Sequence, residues 1–323
     1  MNKDLTFLRD PMDESLLTLD GHQLNSQGGR RYPIINEIPR FVYSDNYSAD
    51  FGDQWNQFPK TQLDSFNGFD HSQTRLSRCL HGHLKNLAGK KILEAGSGAG
   101  RFTEILLKSD AIVHSFDYSN AVEANAKNNG HHENLVLVQA DIRKIPFSKQ
   151  SYDYVICLGV LQHTPNPEES IKSLWEMLKP GGFLIIDHYI WKWRLVLPPP
   201  FGNPENIFRQ IVLKISKKDR FRLIKRLTDF WFPWHWRFKD SLWIQKILRR
   251  FSPVHFYYPD MKLRDRDMYY EWSLLDTHDA LTDFYKHRRK PSQIKKVLEE
   301  IDAKDIKVKV GGNGIEAFCR KGQ

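Results

Sequence analysis

Three glycines within five residues, Gly96, Gly98 and Gly100, restrict the fold of this chain more than any other feature. Residues 91–94 before them read as a short buried strand, and the apolar residues after them recur at the spacing of an amphipathic helix. Glycines at such a turn let the chain bend tightly and let a ligand approach bare backbone. The dinucleotide-binding fingerprint would need its third glycine at Arg101, so that fingerprint is not met. The stretch predicts a ligand-binding turn or, alternatively, a purely structural one.

The next two predicted strands each end in an acidic residue, as the first does at Glu94. Residues 111–117 end at Asp117, which lies 23 positions after Glu94, and residues 135–141 end at Asp141. In doubly wound folds, an acid at the end of the second strand accepts hydrogen bonds from both hydroxyls of a ribose. The spacing therefore predicts that a nucleoside binds at this edge of the sheet.

The remaining core pattern predicts a seven-stranded sheet. Its further elements are a strand at 151–160, a helix at 168–178, a strand ending at 186, a helix at 294–301 and strands at 306–310 and 315–319. The glycine-rich residues 311–314 between the last two strands predict a hairpin turn, so these strands should be antiparallel.

The glycine turn, the strand-terminal acids and the Leu-Lys-Pro-Gly-Gly run at 178–182 resemble, in order and spacing, the class I methyltransferases that use S-adenosylmethionine (SAM). This resemblance implies an α/β fold with a doubly wound, mostly parallel seven-stranded sheet and an antiparallel last strand. It also implies SAM as cofactor, with Asp117 at the ribose, and Asp141 and the Ile142 amide at the adenine. The implied cofactor residues are Glu94, Gly96, Ser97, Gly98, Gly100, Asp117, Tyr118, Asp141, Ile142 and Leu158.

Residues 1–45 form a predicted small, β-rich module. Their ending, Gly-Arg-Arg-Tyr-Pro-Ile followed by Ile-Pro, resembles a zinc-ribbon module found before some methyltransferase domains. In that module two C-x-x-C pairs hold zinc, and the matching positions here are Asp10, Asp13, Asn25 and Gly28. Because asparagine and glycine are not usable zinc ligands, we expect the shape of the module without its metal.

Residues 46–88 are predicted to form a helical cap over the cofactor. Aromatic residues recur there every three to four positions, at Tyr47, Phe51, Trp55 and Phe58. Such a stripe usually serves packing. In methyltransferases of this type a helix before the core often covers the cofactor, so Phe51, Trp55 and Gln62 are candidates for contact with SAM.

Residues 191–277 are predicted to be a helical insertion between two parts of the SAM-binding core, 89–190 and 278–323. Residues 191–255 of it hold six of the nine tryptophans, and they hold fifteen lysines and arginines against four acidic residues. One interpretation is a lid over the acceptor that packs on its own core. Another is an amphipathic surface for anionic lipid, with tryptophans at the interface. A nucleic-acid face is the third, although nothing here resembles a recognised RNA-binding module.

The cysteines and the hydropathy pattern bear on location. Cys79, Cys157 and Cys319 are far apart, and no signal peptide is recognisable, which indicates a reducing cytoplasm without a disulfide framework. No apolar run approaches the roughly 18 residues of a membrane span. We therefore expect a cytoplasmic protein, at most peripheral at the inner face of the membrane; the oligomeric state is not predicted.

Three histidines are candidates for the base that methylation of a hydroxyl needs: His163, His278 and His188, which follows the fifth strand. His163 follows the fourth strand of the core and should lie at the edge where the methyl group is bound. His278 stands between Asp276 and Asp279, whose carboxylates could orient its ring and raise its pKa.

Over its whole length the chain resembles one bacterial group of methyltransferases, on the strength of residues 46–65 and 274–290. That group is associated with surface-glycan and secondary-metabolite biosynthesis. The resemblance implies O-methylation of a glycan, a lipid-linked compound or a small molecule. The alternatives are an RNA methyltransferase and a SAM-binding regulatory or partner subunit that has lost catalysis.

Overall fold

A seven-stranded sheet lies at the centre of the protein in a computed structural model, which describes residues 5–43, 46–195, 197 and 201–323. Residues 1–4 and 44–45 of the expected N-terminal module, and residues 196 and 198–200 of the expected insertion, lie outside the described residues.

The N-terminal part forms a four-stranded antiparallel sheet. Its strands, in spatial order, are β1 (Leu17–Asp20), β2 (Gln23–Ser26), β3 (Arg31–Ile35) and β4 (Ile38–Pro39). Leu24 and Tyr32 of this sheet are buried in the same apolar cluster as the central sheet. Just beyond β4, the amide of Phe41 donates a hydrogen bond to the Gln139 carbonyl over 2.8 Å. The N-terminal part thereby covers an edge of the central sheet that would otherwise present unpaired backbone groups.

Three helices precede the core: α1 (Ala49–Gln57), α2 (Asp64–Asn67) and α3 (His71–Cys79), with a 3₁₀ turn at His83–Asn86. The first part of the core follows as β5 (Lys91–Ala95), α4 (Arg101–Lys108), β6 (Ile112–Asp117), α5 (Val122–Asn129), β7 (Leu135–Gln139), β8 (Tyr152–Cys157), α6 (Pro167–Met177) and β9 (Leu178–His188). A second 3₁₀ turn, Leu161–His163, lies between β8 and α6.

The insertion is helical. After a 3₁₀ turn at Trp193–Leu195 it contains α7 (Glu205–Lys214), α8 (Lys217–Arg237), α9 (Leu242–Phe251) and α10 (Arg266–Thr282). The chain then closes the fold with α11 (Pro291–Glu300), β10 (Lys304–Gly311) and β11 (Gly314–Arg320). None of the helices in the described residues is long and apolar enough to span a membrane.

The strands of the central sheet lie in the order β10-β11-β9-β8-β5-β6-β7. The pairs from β9 to β7 are parallel, whereas β11 runs antiparallel to both β9 and β10. The predicted fold class is therefore confirmed, including the antiparallel last strand.

Alternating side chains of β5 supply two separate apolar cores, because successive residues of a strand face opposite sides of a sheet. Ile92 packs with Leu76 of α3 and Leu106 of α4 on one side. Leu93 packs with Leu174 of α6 and Leu298 of α11 on the other. Covered on both faces, the sheet leaves the carboxyl edge of its parallel strands as the place for a ligand.

Candidate active site

A cavity of about 830 Å³ opens at this carboxyl edge. Its walls come from the glycine turn after β5, from the ends of β6, β8 and β9, and from the helices α1, α3 and α10. The volume lies in the range of small-molecule sites and leaves room for a cofactor with a second ligand beside it.

The glycine turn has the backbone that the sequence predicts. Gly96 has a φ of +77°, and a Cβ there would lie 2.2 Å from a methyl carbon of Val160. Gly96 and Gly98 line the cavity, and the Trp55 indole lies 3.3 Å from where a Cβ on Gly98 would stand. Gly100 instead packs behind the turn, where a Cβ would meet the Asn125 side chain at 2.2 Å. Gly96 and Gly98 therefore suit ligand contact, whereas Gly100 serves packing.

Asp117 at the end of β6 lies in the cavity wall beside this turn. Its carboxylate accepts hydrogen bonds from the Gly98 amide over 2.9 Å, and from the amide and hydroxyl of Ser119 over 2.8 and 2.7 Å. Nearby, the Ser97 hydroxyl is buried and has no hydrogen-bond partner among the described residues. A fixed carboxylate beside an unsatisfied hydroxyl and bare backbone fits the ribose and methionine parts of SAM.

The predicted adenine side is partly occupied by the protein itself. Asp141, Ile142 and Leu158 all line the cavity. The Asp141 carboxylate, however, already accepts hydrogen bonds from Arg143, over 2.8 Å from its amide and 2.7 Å from Nη2. An adenine amino group would therefore share Asp141 with Arg143.

Tyr118, the last predicted cofactor residue on this side, lines the cavity next to Tyr47 of the segment before α1. The two rings are stacked with centroids 4.9 Å apart. This pair places an aromatic wall beside the ribose and adenine positions. Phe51, Trp55 and Gln62, the candidates from the helical cap, line the same cavity.

Glu94, like Gly100, lies behind the turn and outside the cavity wall. Its side chain is buried, and Oε2 accepts hydrogen bonds from the hydroxyls of Thr103 and Ser115 over 2.5 and 2.7 Å. Burial raises the pKa of Glu94 to about 7. Glu94 thus joins α4 to β6 and supports the turn from behind.

Sequence reasoning missed Arg75 and Arg101, which line the cavity, and Asp187, which is bonded to Arg75. Arg75 of α3 is ion-paired with Asp187 near the end of β9, and Asp187 also accepts a hydrogen bond from the Gly159 amide over 2.6 Å. Arg101 donates to the Gln62 side chain, and burial lowers its pKa to about 10. No salt bridge joins Arg101 to a carboxylate in the described part of the chain, so its charge is available to an anionic group such as a ligand carboxylate. Asp187 is the last residue but one of β9, much as Asp117 is the last residue of β6, and this position was the available signal.

His163 lies in the cavity wall, as predicted, between the rings of Phe51 and Tyr189 at 5.2 and 5.3 Å. Its Nδ1 is 3.2 Å from the Tyr285 carbonyl oxygen, which suits a neutral imidazole with a proton on that nitrogen. Burial, with Lys286 nearby, lowers the pKa of His163 to about 3. The ring is well placed but binds a proton weakly.

For His278 the expectation of a raised pKa is wrong. Its Nδ1 lies 2.7 Å from Oε1 of Gln54, outside the cavity wall, and burial lowers its pKa to about 4. The reason is helical phase, since each residue turns the direction of the side chain by about 100°. Asp276 and Asp279 share the face of α10 that lines the cavity, whereas His278 points away from it.

In the N-terminal part, an ion pair lies at positions that correspond to zinc ligands in the ribbon module. The Arg30 guanidinium donates to Asp10 over 2.7 Å and to Asp13, and a Cβ on Gly28 would lie 2.9 Å from it. Within residues 5–43 and the rest of the described chain, no three His, Cys, Asp or Glu side chains are grouped to hold a metal ion.

Comparison with known proteins agrees with this geometry for the core. Residues 93–186 match the family model of the methyltransferase domain. An uncharacterized chloroplastic methyltransferase of Arabidopsis thaliana is 26% identical over 225 residues, covering 63% of this chain and 58% of that protein. A ubiquinone biosynthesis O-methyltransferase of Coxiella burnetii is 35% identical over 100 residues, covering 30% of this chain and 43% of that protein.

Among solved structures, magnesium protoporphyrin IX methyltransferase of Synechocystis with bound SAH superimposes with a TM-score of 0.43 at 15% identity, covering 85% of this chain and 95% of that one. The chain spans about half the length of the curated relatives it matches.

Proposed function

We propose that this chain, whose core is a SAM-dependent methyltransferase domain, transfers a methyl group from SAM to a hydroxyl of a small-molecule, glycan or lipid-linked acceptor. The observation that carries the proposal is the continuity of the cavity. The glycine turn and Asp117 line one part of it, and Tyr189, Tyr257 and Asp279 line another. One continuous cavity can therefore hold a donor and an acceptor side by side.

Bound SAM supplies a methyl group on a sulfonium, which a nucleophile attacks in line. The protein's own contribution is to hold both partners and to keep water out, and alignment of this kind can supply about 7–11 kcal/mol of the barrier. Trp55 beside Gly98 and Phe51 beside His163 close the cavity from α1. His163 belongs to the proposed acceptor site, because it lies between this wall and Tyr189.

Transfer to oxygen is supported by the relative from Coxiella burnetii, which is named an O-methyltransferase. The acceptor part of the wall supports it as well, because it is aromatic and polar. Its residues include Tyr189, Tyr257, His255, Trp272 and Asp276. Such a wall suits a ring compound with hydroxyl groups.

The test is formation of S-adenosylhomocysteine (SAH) from methyl-labelled SAM by the purified protein with bacterial cell extract. We expect SAH formation that depends on the extract, survives RNase treatment, and puts the label in the small-molecule, glycan or lipid fraction. Loss of the label after RNase would favour the RNA alternative. SAM binding by calorimetry without any SAH formation would instead favour an inactive regulatory subunit.

We also propose peripheral contact with an anionic membrane through α9, from a protein that is otherwise cytoplasmic. Trp243, Ile247 and Phe251 stand at successive turns of α9 and are 71%, 40% and 52% exposed. Lys246 and Arg249 lie on the same helix between them. An exposed apolar stripe next to basic side chains suits the interface of an anionic bilayer.

The sequence-based interpretation of the insertion as a lid packed on its own core accounts for only part of it. Val212, Ile224 and Phe232 are buried, but Trp191, Trp193, Trp234 and Trp243 are exposed. The basic residues Lys217 to Arg226 lie at the start of α8, whose 21 residues span about 30 Å. They are therefore remote from α9, and the proposed contact rests on the cations of α9.

A further inference from the structure

We propose that Asp279 is the catalytic base of this site and that the acceptor is a hydroxyl compound whose proton Asp279 removes. This inference rests on the proposed methyl transfer. Asp279 lies on α10 and lines the cavity together with Asp276, one turn earlier on the same face. α10 begins in the insertion at Arg266 and ends at Thr282, and this helix brings the carboxylate to the cofactor edge.

A chain of hydrogen bonds ties this part of α10 to the glycine turn. Arg101, directly after Gly100, donates to Oε1 of Gln62, and Nε2 of Gln62 donates to Asp276 over 3.0 Å. Asp276 and Asp279 are both among the charges that act on the Arg101 guanidinium. The Asp279 side of the cavity is therefore held next to the part that fits SAM.

Asp279 differs from the neighbouring acids in the partners of its side chain. Asp276 accepts a second hydrogen bond, from Nε1 of Trp272 over 3.1 Å. Asp283 is paired with Arg209 over 2.5 Å and with Lys286 over 3.0 Å. Asp279 has no hydrogen bond or ion pair of its side chain within the described residues. Its carboxylate is free to accept a proton from a ligand in the cavity.

Glu205, the remaining acid on this side, is also committed to protein partners. Lys286 lies 2.5 Å from one of its oxygens, and Nε2 of His255 lies 3.5 Å from the other. Lys286 thus binds both Glu205 and Asp283, and Asp276 is bound by Gln62 and Trp272. Among the acids on this side, Asp279 is therefore the one whose carboxylate is held by neither a cation nor a hydrogen-bond donor in the described residues.

The proton affinity of Asp279 suits the role. Burial, assisted by the charges of Asp283 and Asp276, raises the pKa of Asp279 to about 7, against the opposing effect of Lys286 and His255. Burial raises the pKa of Tyr189 and of Tyr257 well above the ordinary value of a tyrosine, so neither hydroxyl competes with Asp279 as a base. General-base catalysis is most efficient when the pKa of the base is near the working pH. His163, with a pKa of about 3, is a much weaker base.

The proposed step balances without any further reactant. The acceptor oxygen forms a bond to the methyl carbon as the carbon–sulfur bond breaks, and the electron pair of that bond stays on sulfur, which becomes neutral. The hydroxyl proton passes to Asp279, which later releases it to solvent. A neutral alcohol or phenol needs such a base, whereas an amine can lose its proton after transfer.

The test compares the wild type with Asp279→Asn, Asp279→Glu and the control Asp267→Asn, which makes the same change at an exposed acid of α10 outside the cavity wall. The probe is labelled SAM with the protein-free small-molecule fraction of bacterial extract, assayed between about pH 5.5 and 9. We expect Asp279→Asn to lower turnover by about 10²–10⁴-fold with SAM affinity by calorimetry nearly unchanged. The turnover rate of the wild type should rise as the pH rises through about 7, and this rise should be absent in Asp279→Asn. Asp279→Glu should restore part of the rate, and Asp267→Asn should retain all of it.

Carbon-13 NMR of the carboxyl groups supplies a readout that needs no acceptor. One aspartate signal should titrate near pH 7 in the wild type and be missing in Asp279→Asn. Turnover of Asp279→Asn within about threefold of wild type, or no such titrating signal, would overturn the assignment of the base. A wild-type protein that binds SAM but forms no SAH contradicts the proposed function itself, and is recognised before any variant is compared.

Discussion

The amide nitrogen of Gly98 donates a hydrogen bond to the Asp117 carboxylate over 2.9 Å, so the glycine turn and the end of the next strand form one unit. This contact follows from the parallel pairing of β5 with β6, which brings the ends of both strands to the same edge. A ribose bound there would meet a carboxylate that is already oriented.

Asp117→Ala should weaken SAM binding at least about tenfold, because two charge-assisted hydrogen bonds to the ribose are each worth about 1.5–3 kcal/mol. Calorimetry measures the affinity, and circular dichroism checks that the fold is intact. The control Ser119→Ala removes one donor to Asp117 but keeps the carboxylate, so it should bind SAM far better than Asp117→Ala. Equal affinities of Asp117→Ala and wild type would remove Asp117 from the ribose site.

Two of the histidines predicted from the sequence should now behave differently. His278→Asn should leave turnover nearly unchanged, since the His278 ring lies outside the cavity wall. His163→Asn should lower turnover less than Asp279→Asn does and should keep the rise of the rate near pH 7. If His163→Asn instead loses about 10²–10⁴-fold and the rise of the rate with pH as well, then His163 is the base.

Glu94 should make the stability of the protein depend on pH in a definite direction. Its pKa in the folded state is raised to about 7 from an ordinary value of 4.5, so the folded state binds the proton of Glu94 more tightly than the unfolded state does. The contribution of this proton to the stability of the fold is therefore complete below about pH 4.5 and is lost as the pH rises to about 7. Because Glu94→Gln cannot ionise, its free energy of unfolding should not show this loss. The difference in free energy of unfolding between Glu94→Gln and the wild type should therefore shift in favour of the variant by up to about 3 kcal/mol as the pH rises through this range. Urea unfolding at several pH values measures the difference. The exposed Glu133→Gln is the control, and a difference for Glu94→Gln that is as flat as for Glu133→Gln would contradict the prediction.

The N-terminal module should contain no stoichiometric zinc, because the Arg30 guanidinium occupies the space between Asp10 and Asp13. A cation fixed by two carboxylates leaves no room for a second one there. Elemental analysis of the purified protein tests this. Zinc that survives dialysis against a chelator would show that the alignment with the zinc ribbon is wrong.

The α9 surface should bind phosphatidylglycerol vesicles at low salt. Each cation near an anionic bilayer contributes about 1 kcal/mol, an attraction screened beyond about 10 Å in 0.1 M salt. Co-sedimentation should weaken as salt rises and should be absent with neutral lipid. Trp243→Ala combined with Phe251→Ala should abolish it, whereas Leu19→Ala, at an exposed apolar residue of β1, should not. Wild-type protein that stays in the supernatant would rule out the membrane contact.

The sequence was informative where local pattern determines structure. The glycine turn, Asp117 and the hairpin before β11 could be located because strand ends and turns have fixed residue requirements. The acceptor part could not, since α10 is buried on nearly every side and its apolar residues show no one-sided period. Without that period the sequence does not indicate which face of α10 points to the cavity. His278 therefore could not be told from Asp279 as the residue that faces it.

The segment between β9 and α11, which contains the insertion, starts and ends at neighbouring points of the structure. The Trp191 amide donates to the Arg289 carbonyl over 2.7 Å, and the Arg289 amide donates to the Tyr189 carbonyl over 3.0 Å. A long segment of this kind can be exchanged for another without disturbing the sheet, because the entropic cost of closing a loop depends only weakly on the length of the loop. In evolutionary terms the segment can be exchanged as one unit. One recombination event in a relative of this protein could therefore change the proposed acceptor site, the proposed base and the proposed membrane contact together, while SAM binding by the core is kept.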